Sequence, residues 1–542
     1  MLSVLPALSA LHVNVTDTNA HVVPAPSTPK ALTASIMENV PVDIWQGIFT
    51  ESVLLENPIQ FNEMFGEIWG RPTLGSTGIS SHVFVQQPAV ISQVCRTWRH
   101  IAFGMPEIWS ILFIKPRVPA GRETASPPHI IDRLEKLIKF RLSLANPMPL
   151  KIYIDARESV QDAKSLIAAI LPFSQRWKTI HLNVPSESLS QLLRLTSEDV
   201  PMLQSFKFYE RVYQMRPWDA TQMHDFDLFH IQKIAPSLRR VCTPLQLPAN
   251  LPSYSTLQEL HLQQSPSESQ EIYRILSLCM NLQTLSLTGY ATTQGVLGET
   301  ITLPLLTTLN MEHPIGRERL LRAIRTPSLR TLRLLGRGGV HAKSLLLELK
   351  NLMMRSDVSS LESLHILYET HNLTDVAIAE FLACNAELKE LKIDDTWMFL
   401  NTSMITAGLL RDMTLSDVEV GEEVHLDAHD SDGSASCDEE RGGRPAGGFM
   451  SRPSTSSKAH GTSGSLIPEL KRLSLIGCCH FSNQELVTLV HSRMGGRHSL
   501  ESIYLSLAQT TAPELDQVVR EARSRGIEAE LLTVRGSYFL VI

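Results

Sequence analysis

The stretch Leu282-Gln283-Thr284-Leu285-Ser286-Leu287 carries the pattern L-x-x-L-x-L, which decides the predicted fold of this chain. Conservative copies begin at Leu257, Leu306, Leu329, Leu361, Leu388, Leu470 and Leu500. Within each copy, apolar and polar residues alternate with the period of a strand that buries one face. Parallel pairing of such strands needs a crossover of a dozen or more residues, usually helical. The pattern therefore predicts a parallel sheet made of strand-helix units.

Weaker signals extend this rhythm in both directions. Less regular copies begin at Trp177, Leu203, Leu238 and Leu410. Apolar spacing predicts a helix over residues 130–142, and alternation predicts a strand over residues 150–154. Residues 373–382 are predicted to form one crossover helix, with Thr374 as its cap and with Val376, Ala377 and Phe381 along one face.

The repeated pattern resembles the leucine-rich repeat. Between Leu257, Leu282, Leu306 and Leu329 the steps are 25, 24 and 23 residues, within the family range of about 20 to 29. The copy at Leu470 matches best, because Cys478 stands where the family has Asn or Cys. The resemblance implies an irregular α/β solenoid over residues 129–542. A doubly wound α/β domain with leucine-rich strands is the alternative.

A different pattern precedes the repeats. Six residues recur at the three-and-four spacing of one helical face: Ile91, Val94, Cys95, Trp98, Ile101 and Ala102. They predict a single helix, which Gly104 and Pro106 end. Upstream, the segment from Val40 to Phe49 predicts another helix, because Pro41 suits a first helical position and Asp43 faces the positive end of the dipole.

Together these helices, over residues 39–114, resemble the F-box-like domains of fungi, which bind a Skp-family linker protein. Val40, Asp43 and Ile108 replace the family's Leu, Glu and Leu, and a polar loop over residues 51–88 is longer than a compact F-box needs. The alternative is a helical hairpin that merely has a Trp and a Cys in its core. The resemblance implies a linker-binding set of Pro41, Ile44, Trp45, Ile48, Phe49, Val94, Cys95, Trp98, Ile101 and Trp109.

Composition agrees with a globular protein that carries disordered additions. The chain has 542 residues and a formal net charge of −7, which does not indicate nucleic-acid binding, and it lacks an apolar run long enough for a membrane span. We predict a disordered arm over 1–38, a linker over 115–128 and a disordered acidic, Ser- and Gly-rich insertion over 416–465. Scattered cysteines, seven in all, indicate a reducing compartment, hence the cytoplasm or nucleus.

The residues between the repeated leucines form a predicted target-binding row. They point away from the leucines, and parallel stacking aligns them from strand to strand. The row consists of Glu259, His261, Gln263, Thr284, Ser286, Thr308, Asn310, Glu312, Glu390, Lys392 and Asp394. The alternative is that a target binds the loops or the insertion.

The usual catalytic signatures are missing from the sequence. It has no G-x-x-x-x-G-K-[ST], H-E-x-x-H or G-x-S-x-G motif, so we expect no cofactor, no metal and no catalysis. The resemblances imply a substrate-recognition subunit of a cullin-RING ubiquitin ligase, with a Skp-family linker, the cullin complex and an unknown target protein as partners. The alternatives are a stand-alone repeat scaffold and an enzyme with an unrecognised site.

Overall fold

The computed structural model describes two compact units of a mixed α/β protein. The first ends at Trp109 and the second begins at Ser110. The described residues are 40–53, 87–116, 128–157, 159–209, 230–243, 252–262, 269–288, 299–312, 318–337, 342–358, 361–369, 375–395, 405–415, 465–477, 481–495, 499–507 and 513–533. The predicted arm, Gln263, Thr374, Cys478 and nearly all of the predicted insertion lie outside them.

The first unit is helical. Its helices are α1 (42–53), α2 (Gln87–Val94), α3 (Arg96–Phe103) and α4 (Pro106–Trp109). Helix α1 begins directly after Pro41, whose carbonyl accepts hydrogen bonds from the N–H groups of Ile44 and Trp45 at 3.2 and 3.3 Å. The helix therefore begins one residue after Pro41, which was predicted at its first position.

The second unit contains one large parallel sheet. Within the described residues it has 14 strands, and their order in the sheet is their order in the chain. The strands are β1 (Ile111–Ile114), β2 (Leu150–Asp155), β3 (Trp177–Asn183), β4 (Ser205–Tyr209), β5 (Arg240–Thr243), β6 (Glu259–Leu262), β7 (Thr284–Thr288), β8 (Thr308–Glu312), β9 (Thr331–Arg337), β10 (Ser363–Glu369), β11 (Glu390–Asp395), β12 (Arg472–Gly477), β13 (Ser502–Leu507) and β14 (Glu528–Thr533). A doubly wound sheet reverses its order at a switch point, which this sheet does not do over the strands described.

All eight regular copies of the leucine pattern coincide with strands of this sheet. The second leucine of each copy aligns with that of the next strand, as Leu260, Leu285 and Leu309 show. These side chains are fully buried. We call the side that carries them the leucine face, and the side that carries the intervening residues the opposite face.

Crossover elements connect the strands and contact one another in chain order. The helices are α5 (Pro128–Leu144), α6 (Val160–Ile170), α7 (His230–Ile234), α8 (Ser269–Leu278), α9 (Glu318–Arg322), α10 (Ala342–Ser356), α11 (Asp375–Ala383), α12 (Ala407–Met413), α13 (Asn483–Ser492) and α14 (Pro513–Ser524). Short 3-10 helices cover Leu171–Arg176, Ser186–Arg194 and Pro252–Thr256, and Ile301–Thr302 pairs in parallel with Ile324–Arg325. Gly526 closes α14 at a φ of +81°, a conformation that glycine adopts without steric cost.

Three expectations need correction, and one strand was not predicted. Residues 111–114 are strand β1 of the sheet and not the end of the helical domain, because Ile111 to Ile114 form a run that is buried on both faces. Leu410 lies in helix α12, so it begins no strand. Val376 was expected in the core but is exposed on α11, and Ile378 is the residue that lies in the core with Ala377 and Phe381. Strand β14 follows no predicted copy of the pattern.

Arginines at the ends of crossover elements connect successive units. The guanidinium of Arg176 donates to the carbonyl of Leu142 at 3.1 Å, and that of Arg355 donates to the carbonyl of Leu321 at 2.7 Å. Leu142 lies in the last turn of α5, and Leu321 lies in the last turn of α9. Carbonyls at these positions lack intrahelical partners, and the helix dipole favours a positive charge there. These arginines therefore cap one helix from the next.

Arg493 is the most buried example, and it holds the two ends of the insertion together. Its side chain donates to the carbonyls of Met413, Ile467 and Pro468, the closest at 2.6 Å, and to the hydroxyl of Ser465 at 2.8 Å. The N–H of Leu466 also donates to the carbonyl of Asp412 at 2.9 Å. The two ends of the insertion, near residues 415 and 465, therefore lie next to each other in the second unit.

This arrangement predicts that the insertion can be removed. We expect a variant in which Gly-Ser-Gly-Ser replaces residues 416–464 to melt within roughly 2 °C of the full chain, because a shorter loop costs less entropy and Arg493 keeps its partners. Circular dichroism measures the melting temperature. A fall of many degrees would show that the insertion packs against the fold.

Candidate functional site

Three aromatic residues form the centre of the helical unit. The ring of Trp98 on α3 lies 4.8 Å from that of Trp45 and 5.0 Å from that of Phe49, both on α1. Phe49 is buried to 1% exposure, whereas the two tryptophans are partly buried. Their edge and tilted geometries are those that aromatic pairs prefer. This cluster joins the first helix to the third.

The predicted second helix is interrupted at Cys95. This residue has an extended backbone, and its thiol accepts a hydrogen bond from the N–H of Trp98 at 3.4 Å, so it caps α3. The side chain of Arg99 then donates to the carbonyl of Ser92 near the end of α2 at 2.9 Å. The single-helix prediction was wrong because the apolar spacing continues across a break that local hydrogen bonds stabilise.

Helix α4 closes the unit with a second tryptophan contact. The indole N–H of Trp109 donates to the carbonyl of Ala102 at 2.7 Å, and its ring lies 5.7 Å from that of Phe103. Trp109 and Ile101 are both buried. Together with Phe49, these predicted linker-binding residues therefore lie in the core of the unit, where they support its surface.

Other predicted linker-binding residues lie on the surface. Ile44 and Ile48 on α1 are 50% and 47% exposed, and Val94 on α2 is 52% exposed. On α1, Ile44 and Ile48 are four residues apart and so share one face of the helix. On α2, Val94 shares a face with Val90, which is also exposed. Exposed aliphatic side chains in such pairs mark a protein-binding surface more often than scattered single ones do.

Two further aliphatic residues of these helices, Val42 and Val90, are also about half exposed, and they were not predicted from the sequence. The spacing of Val90 from Val94 could have revealed it. Pro41 is exposed, and Cys95 is partly buried. We call Val42, Ile44, Ile48, Val90 and Val94 the aliphatic set.

The second candidate site is the opposite face of the sheet. Its residues stand in register as predicted, so that Glu259, Thr284 and Thr308 face one another across strands β6 to β8. His261, Ser286 and Asn310 form the next row. The alignment of the target-binding row is therefore confirmed for these strands.

Part of this row is buried. His261, Ser286 and Glu312 are less than a tenth exposed, against the expectation of an outward row. Thr288 connects His261 to Glu312 across the strands. Its Oγ1 lies 3.0 Å from His261 Nε2, and its hydroxyl donates to Glu312 Oε2 at 3.2 Å. Burial, and then the charge of Lys207, lowers the pKa of His261 to about 3, which keeps the ring neutral.

Glu259 on β6 contacts two cations, Arg240 on the neighbouring strand β5 and Lys207 on β4, two strands away. Its carboxylate lies 2.5 Å from Lys207 Nζ and 3.9 Å from Arg240 Nε. Glu390 is engaged in the same way, because it accepts from Ser363 at 3.1 Å and lies 3.4 Å from both His365 and Arg472. These carboxylates therefore bond to side chains on nearby strands of the sheet.

Metal-ligand clusters and membrane-spanning helices are both absent from the described residues. They contain no group of three or more His, Cys, Asp or Glu side chains placed to hold a metal ion. No helix among them is both long and apolar enough to cross a bilayer. Cys95, Cys242, Cys279 and Cys384 are free thiols, and burial raises the pKa of Cys242 and Cys279 to about 12, far from a reactive thiolate.

No model of a known protein family matches the chain, and no curated protein matches it either.

Proposed function

We propose that this protein is a substrate-recognition adaptor of an SCF-type cullin-RING ubiquitin ligase. The helical unit would bind a Skp-family linker, and the second unit, an irregular leucine-rich-repeat solenoid, would bind a target protein. The adaptor has no chemistry of its own in this proposal. It acts by proximity, because it holds target lysines where a ubiquitin-charged enzyme can reach them.

The aliphatic set carries the first half of the proposal. Five aliphatic side chains of a small helical unit stay about half exposed, although burial of each would be worth about 1–2 kcal/mol. A groove on a partner would bury the face of α1 that carries Ile44 and Ile48, or the face of α2 that carries Val90 and Val94, in the way that amphipathic helices are commonly recognised. The resemblance of the same helices to an F-box favours a Skp-family linker as that partner.

The strand order supports the second half. Each strand pairs with the next one in the chain, and each crossover element contacts its successor. Before several strands the same turn recurs, in which the first leucine donates its N–H to a carbonyl three residues earlier, as at Leu282, Leu388 and Leu470. Repetition of one unit along one direction is the feature that defines a solenoid.

The test is a double substitution on α1. We expect Ile44→Asp/Ile48→Asp to weaken binding of a purified Skp-family linker at least about tenfold, because two apolar contacts would be replaced by desolvated charges. Both side chains are half exposed, so the melting temperature should change little. Isothermal titration calorimetry measures the affinity.

A matched control is Leu347→Asp/Met354→Asp on α10, where both residues are also more than half exposed. This variant should bind the linker as the wild type does. If the wild-type chain does not bind, or if the α1 variant binds equally well, the adaptor proposal is wrong. A stand-alone repeat scaffold is then favoured.

A further inference from the structure

Strands β9 to β11 place basic side chains in one row of the opposite face. Arg333, His365 and Lys392 are register partners on three consecutive strands. The leucine or isoleucine on each side of them is buried, which sets these three on the other side of the sheet. Because neighbouring strands lie roughly 4.8 Å apart, the three side chains are neighbours.

The two cations of this row differ from others on the same face. Lys207 pairs with Glu259 two strands away, and Arg472 pairs with Glu390 on the neighbouring strand. Among the described residues, by contrast, no ion pair forms at Arg333 or Lys392, and Arg333 is exposed. Both cations act on His365, whose pKa is lowered first by burial, then by Arg333 and to a smaller degree by Lys392, against the opposing effect of Glu390. The row therefore presents two cations that pair with no described carboxylate, with Glu390 and Asp394 two residues before and after Lys392 on its strand.

A second row on the same strands begins with two aliphatic residues. Leu335 on β9 and Leu367 on β10 are register partners two residues beyond the basic row, and Asp394 on β11 and Ile476 on β12 continue this row. Leu335 and Leu367 are partly exposed. A step of two residues along a strand is roughly 6.6 Å, so the basic and aliphatic rows run side by side.

We propose that this basic-aliphatic surface, formed by Arg333, His365, Lys392, Leu335 and Leu367, binds an extended target segment that alternates carboxylate and aliphatic side chains. This inference rests on the proposed function, in which the sheet binds a target, and it adds the position of the binding site and the chemistry of the bound segment. Carboxylates of the segment would meet the two cations while its aliphatic side chains cover Leu335 and Leu367. The paired spacing of charge and apolar surface gives this surface its selectivity.

Carboxylates fit this row better than phosphates do. Glu390 and Asp394 stand two residues on either side of Lys392, so a dianion would meet more repulsion there than a carboxylate would. Phosphate recognition also favours several guanidinium groups that bond in a bidentate way, whereas this row has one arginine. The occupant is therefore an acidic segment of a protein that needs no modification.

The experiment uses the full chain and a labelled peptide of three Glu-Ser-Leu repeats, with Gln-Ser-Leu and Lys-Ser-Leu peptides for comparison. Fluorescence anisotropy should show that the wild type prefers the Glu peptide to the Gln peptide, and that added salt weakens this preference. Arg333→Glu/Lys392→Glu should lose roughly tenfold or more in affinity for the Glu peptide and gain affinity for the Lys peptide.

Lys139→Glu/Arg520→Glu is the matched control, because it makes the same change in net charge at exposed positions on helices α5 and α14. It should bind the Glu peptide as the wild type does. A milder pair, Arg333→Gln/Lys392→Gln, keeps the test valid if charge reversal lowers the melting temperature.

Equal affinity for the Glu and Gln peptides would overturn the inference, and so would a charge-reversal variant that behaves like the control. Linker binding measured on the same variants separates this result from the adaptor proposal. If the variants bind the linker normally and show no peptide selectivity, the inference fails and the adaptor function stands.

Discussion

Replacing Arg493 with methionine is expected to lower the free energy of unfolding by about 3–4 kcal/mol. The side chain has 0% exposure, and burial lowers its pKa to about 10, which leaves it charged at neutral pH. Its hydrogen-bond partners are all neutral oxygens. Methionine would fill most of the space but would leave these buried acceptors without donors, a cost of about 1–3 kcal/mol for each group that water cannot reach.

The midpoint of urea denaturation, followed by circular dichroism, measures this effect. Arg520→Met is the control, because Arg520 is exposed and its guanidinium bonds only within its own helix among the described residues. We expect the control to change stability by less than about 0.5 kcal/mol. If Arg493→Met behaves like the control, water must satisfy the carbonyls of Met413 and Ile467. The hydrogen bonds of Arg493 then contribute little to stability.

Replacing Phe49 with alanine should unfold the helical unit or nearly so, at a cost of about 3–5 kcal/mol. Phe49 is almost fully buried against Trp98, and a unit of this size has few other large core residues to compensate. The cavity would remove contacts from both α1 and α3. Linker binding should therefore be lost together with the structure, as measured by calorimetry and by a red shift in tryptophan emission.

Ile48→Ala on the same helix is the matched control. This side chain is 47% exposed, so its truncation should cost less than about 1 kcal/mol of stability. Its effect on linker binding would then come from the lost contact alone. A folded Phe49→Ala variant that still binds the linker would show that the aromatic cluster does not support the aliphatic set.

Strands with one buried face could be predicted from the sequence, and strands buried on both faces could not. The alternation of Leu285 and Leu287 with polar residues gives both the strand and the side that it buries. Ile111 to Ile114 have no alternation, and they follow directly on a helical pattern, so β1 was assigned to the wrong domain. The break at Cys95 was not predicted, because the apolar spacing continues through this residue although the helix is interrupted there.

The candidate site was predicted only as a set of apolar residues. Periodicity places Ile48 and Phe49 in the same helix, but it does not tell which of them the chain itself covers. That distinction depends on the approach of Trp98 from another helix. Arg493 could not be predicted at all, because its closest partner, Met413, lies 80 residues away in the sequence.

The strict agreement between strand order and chain order also bears on how the protein is made. As the chain leaves the ribosome, each new strand finds its pairing partner already synthesised and next to it, so order can spread from β1 onward without waiting for distant segments. One step differs, because β12 must wait for residues 416–464 to emerge before it can pair with β11. During translation, the edge of β11 therefore stays uncovered longer than any other edge between consecutive described strands.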